Sequence, residues 1–119
     1  MKDPELDILI KELETTRDIS IADFDGVLHA LSFLLPDVAL PQADKLRTAD
    51  QAILIADAAY PNWSIHVRSR ANDRDGHWHC TLRENDSRDS DAAIGIGRSP
   101  VLGQAILAAV MRLAMSQKT

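Results

Sequence analysis

Apolar residues recur at helical spacing in four stretches of the chain and at strand spacing in three. Leu6, Leu9, Ile10 and Leu13 fall at i, i+3, i+4 and i+7, one face of a helix. Asp3 is placed to cap that helix, and Pro4 suits its first position, where the missing N–H would be unpaired anyway. Thr15-Thr16-Arg17-Asp18 breaks the pattern. A second helix is predicted from Ser20, with Asp23 in its first turn and Phe24, Val27, Leu28, Leu31 and Leu35 as its stripe; Pro36 ends it. Residues 36–47, with two prolines, read as a connector. Thr48 and Gln51 form a capping box for a third helix, lined by Ala52, Ile55, Ala56 and Ala59 and stopped at Tyr60-Pro61.

Period-two alternation follows. A strand over about Asn62–Arg70 turns Trp63, Ile65 and Val67 one way and Ser64, His66 and Arg68 the other. The turn formers of Ala71-Asn72-Asp73-Arg74-Asp75-Gly76 lead to a second strand, about His77–Arg83, with Trp78, Cys80 and Leu82 inward. A polar loop, Glu84–Ser90, precedes a short strand around Ala92–Gly97. Ser99 then caps a last helix that opens on Pro100 and carries Leu102, Ala105, Ile106, Ala109 and Leu113 as its stripe. The order predicts a single α+β domain over 1–119. Its N-terminal helical part is 1–47, and an α-β-β-β-α module spans 48–117, with a three-stranded antiparallel sheet packed on helices.

The hairpin has one consequence for chemistry. A loop symmetric about residues 72 and 73 sets His66 opposite His79 and Arg68 opposite His77, close enough to interact across strands. The outward face is then His66, Arg68, Arg70, His77, His79, Thr81 and Arg83, with no carboxylate. Antiparallel sheets often keep one face wet, so solvent is the bland account of these residues. The sharper one is a binding face made of His66, Arg68, Arg70, His77, His79 and Arg83. Three imidazoles, His66, His77 and His79, have the donor type zinc takes. No fourth ligand is evident, since alternation turns Cys80 inward, and no metal or other cofactor is expected.

Charge sharpens this picture. The 119 residues carry a net charge of −5. Residues 1–60 hold 5 Lys/Arg against 12 Asp/Glu, and residues 61–119 hold 8 against 6. An acidic whole disfavours nonspecific binding to nucleic acid or anionic membranes, yet the second half has room for a basic face. Aromatic residues are 4% of the chain, so the core is expected to be Leu, Ile, Val and Ala. A single cysteine, Cys80, excludes an intramolecular disulfide, and a reducing, cytoplasmic setting is expected. No apolar run is long enough to span a bilayer, and the first residues lack the apolar stretch of a signal peptide.

Several stretches resemble known motifs. Ile19-Ser20-Ile21-Ala22-Asp23-Phe24-Asp25-Gly26-Val27-Leu28-His29 resembles the first motif of haloacid-dehalogenase phosphatases. That family's first aspartate is a nucleophile and its second a general acid, at the end of a buried parallel strand. The family also needs a later lysine, and none lies between Lys45 and Lys118. Gly95-Ile96-Gly97-Arg98-Ser99-Pro100 resembles a phosphate-cradling loop, with Pro100 where the dinucleotide fingerprint has its third glycine. The order helix, three strands, helix, with Gly95-x-Gly97-Arg98-Ser99 entering an alanine-rich helix, resembles the double-stranded RNA-binding domain. Those domains grip phosphates with lysines at the start of the last helix. Here Pro100, Val101 and Gln104 stand there, so only the topology carries over.

A resemblance over most of the chain is to small phage and prophage proteins with an ABA-sandwich domain. It rests on Leu9-Ile10-Lys11-Glu12-Leu13-Glu14, on Thr48-Ala49-Asp50-Gln51-Ala52 leading to the Trp63 strand, and on Ser99-Pro100-Val101-Leu102-Gly103-Gln104-Ala105-Ile106-Leu107-Ala108-Ala109. The long insertion Ile19–Arg47 and the polar outer sheet face depart from that family's sheet covered on both sides. The resemblance implies phage or prophage origin, a non-enzymatic protein and no catalytic residues. The sequence is therefore expected to encode a protein that binds another protein or itself. Nucleic-acid binding through the basic sheet face and phosphatase activity are the less favoured alternatives.

Overall fold

A computed structural model describes residues 4–16, 19–46, 48–61, 63–69, 78–83 and 94–118. Helix α1 (Pro4–Thr15) ends where the apolar spacing stops, and Leu6, Ile10 and Leu13 are buried. Helix α2 (Ile21–Leu34) starts where Ser20 Oγ accepts the Asp23 N–H, at 3.1 Å. The expected connector contains one turn of helix, α3 (Ala43–Leu46), and Leu46 fixes it to the core with no exposed surface. Helix α4 (Ala49–Ala59) is capped by Thr48, whose Oγ1 accepts the Gln51 N–H at 3.3 Å. Tyr60 closes α4 and stacks at a tilt on Trp63, with ring centroids 5.1 Å apart, where the chain turns into the sheet.

Strands β1 (Ser64–Ser69), β2 (Trp78–Arg83) and β3 (Ile94–Ser99) form an antiparallel sheet in the order β1-β2-β3. The register differs from the expected one by two residues: His66 pairs with Thr81, and Arg68 pairs with His79. A two-residue slip leaves every side chain on its own face, so the apolar pattern does not specify it; the turn does. The one Asp-Gly pair in the stretch between β1 and β2, Asp75-Gly76, is centred on neither register and so does not decide between them. β3 runs two residues further than expected, to Ser99.

Helix α5 (Leu102–Lys118) begins two residues later than expected. Ser99 is a strand residue, and its hydroxyl accepts the Val101 N–H at 3.1 Å ahead of the helix. The expected single stripe understates α5, for every residue from Gly103 to Met111 is buried. The reason is its central position: the sheet packs on one side, and α1, α2 and α4 pack around the others. A helix enclosed in this way is apolar all round.

Gly95 and Gly97 make the contact between α5 and β3. A Cβ on Gly95 would stand 2.6 Å from the Ala109 carbonyl oxygen, and one on Gly97 would stand 2.5 Å from the Ala109 nitrogen. The sheet therefore lies backbone-to-backbone on Ala105, Ala108 and Ala109. Cys80 and Leu82 beneath them are fully buried. Val67, expected in the core, is 39% exposed, because α5 covers β3 and β2 and leaves β1 beyond its reach.

Two polar attachments hold α1. Gln104, 1% exposed, donates Nε2 hydrogen bonds to the carbonyls of Leu13 (2.9 Å) and Thr16 (2.6 Å), which α1's own ladder leaves open. Arg112 grips the Glu14 carboxylate with both terminal nitrogens. It also donates to the Ile96 carbonyl at 2.9 Å, while Glu14 accepts the Arg98 N–H at 3.1 Å. The open edge of β3 is thereby closed by side chains from α1 and α5.

Candidate functional site

Alternation along the three strands and their register place eight described side chains together on the sheet face away from α5. They are Ser64, His66 and Arg68 from β1, His79, Thr81 and Arg83 from β2, and Ile96 and Arg98 from β3. Arg68, His79 and Arg98 form one row straight across the sheet. His66, Thr81 and Ile96 form the next. Ile96 is 55% exposed, an apolar point beside cations. None of these residues is a carboxylate. Glu14, which reaches the edge of β3, is bound by Arg112 and by the Arg98 backbone.

Of the residues expected on this face, His66, Arg68, His79 and Arg83 stand on it, and Arg70 and His77 lie outside the described residues. His66 faces Thr81 rather than His79, so the two imidazoles are diagonal neighbours. Among the described residues, no group of three histidine, cysteine or acidic side chains is placed to hold a metal ion.

Sequence reading did not place Arg98 and Ile96 on this face. Ending the third strand at Gly97 left Arg98 as a loop residue beside a helix start. Continuing the alternation through Gly95-Ile96-Gly97-Arg98, with glycines inward, places both residues outward. The glycines serve helix–sheet contact, and Arg98 points away from α5.

The opposite side of the molecule carries a second feature. Antiparallel α1 and α2 enclose an apolar groove of about 510 Å³, lined by Leu6, Ile8, Leu9, Gly26, Ala30 and Phe33, with His29 beside them. Ile8 and Phe33 are each 63% exposed. At one end Glu12 meets Asp23, and the Glu12 carboxyl is held above its ordinary range by a hydrogen bond with Asp23, by burial and by the Asp23 charge. Asp23, the residue the phosphatase motif would make a nucleophile, thus lies in the first turn of α2 and not at a strand end.

Cys80 has no exposed surface, and burial pushes its thiol up to about 11, so it is not poised as a nucleophile. Among the described residues no helix is long and apolar enough to cross a membrane. No family model, curated protein or solved structure matches the chain.

Proposed function

We propose that this is a non-catalytic interaction protein of phage or prophage type, working in the cytoplasm, whose outer sheet face binds an acidic protein surface. The observation that carries this reading is the row Arg68–His79–Arg98 on a sheet face that also holds Arg83 and, among the described residues of the strands, no carboxylate. The arginines, one on each strand of the same face, repel each other. A partner's carboxylates relieve that repulsion, and Arg favours bidentate carboxylate geometry. Exposed Ile96 supplies an apolar contact within the same patch.

Two features favour protein over nucleic acid as the partner. The chain as a whole is acidic, at −5. At the start of α5, where double-stranded RNA binders carry phosphate-gripping lysines, Gln104 is buried and committed to the carbonyls of α1. The helical setting of Asp23 and the inert Cys80 support a non-catalytic role. The lone buried thiol accords with a reducing compartment.

A photoreactive amino acid placed at Thr81 tests the reading in the producing cell, with exposed Asp57 on α4 as the control position. The expected result is a protein adduct at Thr81 that survives nuclease and is absent at Asp57. Nuclease-sensitive adducts, or equal labelling at both positions, would overturn it.

A further inference from the structure

The geometry points to a second copy of this chain as the occupant of the α1/α2 groove: the outer sheet face of one copy docks head to tail on the helical hairpin of the next. This deepens the reading of the sheet face as a site for acidic protein and rests on it. The first argument is charge complementarity. Helix α1 carries four carboxylates against Lys11, and α2 carries two with no lysine or arginine, a net of −5 for the pair. Glu14 is neutralised by Arg112, and the remaining acids include exposed Asp7 and Asp25, next to the groove residues Leu6, Ile8 and Gly26. The three strands carry one arginine each and no acid.

The second argument is apolar matching. Each charged surface has exposed apolar side chains within it: Ile8 and Phe33 at the groove, Ile96 on the sheet. Aromatic side chains and arginine are enriched at protein interfaces relative to the rest of the surface. The third is placement. α5 lies between the sheet and the groove, so one chain cannot bring its own two surfaces together. The contact is heterologous, and such contacts propagate into rings or chains rather than stopping at a symmetric pair.

Sedimentation velocity over a concentration series tests this at about 0.05 M and about 0.5 M salt, conditions that differ about three-fold in screening length. The wild-type chain is expected to associate at low salt and to return to monomer at high salt. Two double variants separate the surfaces: Arg68→Glu with Arg83→Glu on the sheet, and Ile8→Asp with Phe33→Asp at the groove. Circular dichroism checks that each is folded, and Ile96→Asp serves as a second sheet variant. Each variant alone is expected to be monomeric at low salt, and an equimolar mixture of the two types is expected to form a dimer that grows no further. A wild-type chain monomeric in all conditions would overturn the inference while leaving the Thr81 adduct as a separate test of the sheet face. A wild-type chain that associates while the mixture does not would also overturn it, because the interface would then be a different one.

Discussion

Gly97 sits directly against the backbone of Ala105, so close that any Cβ at position 97 would collide with the Ala105 carbonyl oxygen. The next turn of the helix, at Ala109, is equally near. Gly97→Ala is therefore expected to lift α5 off the sheet and cost about 3 kcal/mol. Gly26 is the contrast. A Cβ there meets only Leu9 Cδ2, at 3.7 Å, and Gly26→Ala inside α2 is expected to gain up to about 1 kcal/mol. Urea denaturation of both variants checks the pair, and a Gly97→Ala protein as stable as wild type would contradict this packing.

Gln104 is expected to matter more than its place on an apolar helix suggests. Gln104→Leu keeps the volume but removes the donor to the Leu13 and Thr16 carbonyls. The loss expected is about 1–3 kcal/mol, the cost of a buried unpaired polar group. Hydrogen exchange in the last turn of α1 should speed up while that of α4 stays unchanged.

These attachments mark the boundary of what the sequence makes legible. The helices, their caps at Ser20 and Thr48, and the antiparallel three-stranded sheet follow from spacing and local hydrogen bonding, which are properties of neighbouring residues. The bonds from Gln104 to α1 and from Arg112 to Glu14 join positions far apart in the chain and have no periodic signal. The two-residue change in β register is invisible to alternation for the same reason that it is harmless to the core. Of the candidate site, the face was readable but the pairing was not. Arg98 was hidden because Gly95 and Gly97 resemble a loop until α5 is seen lying on them.

The Glu12–Asp23 contact makes stability depend on pH in a definite direction. A Glu12 pKa raised in the folded state means that the native protein holds its proton more tightly than the unfolded chain does. Stability contributed in this way is present below the ordinary carboxylate value and falls as pH rises through the raised one. Glu12→Gln removes the charge and keeps a hydrogen-bonding group. It is expected to melt slightly higher at pH 7 and to show a flatter pH dependence above the ordinary carboxylate range. A lower melting temperature at pH 7 would contradict the assignment.

Cys80 is expected to resist alkylation in the native protein at pH 8, where a thiol raised to about 11 and without exposed surface holds almost no reactive thiolate. Mass spectrometry after maleimide treatment should show an unmodified chain, and full modification once urea is added. Stoichiometric labelling without denaturant would place the thiol at the surface.

The central claim is that the Arg68–His79–Arg98 face takes an acidic protein surface, and its most direct measurement is the Thr81 photoadduct in a charge-reversed background. With Arg68→Glu, Arg83→Glu and Arg98→Glu combined, the adduct seen in the wild-type background should vanish while the melting temperature holds within a few degrees, since all three side chains stand off the core. An adduct of undiminished yield and unchanged identity in that background would contradict the claim.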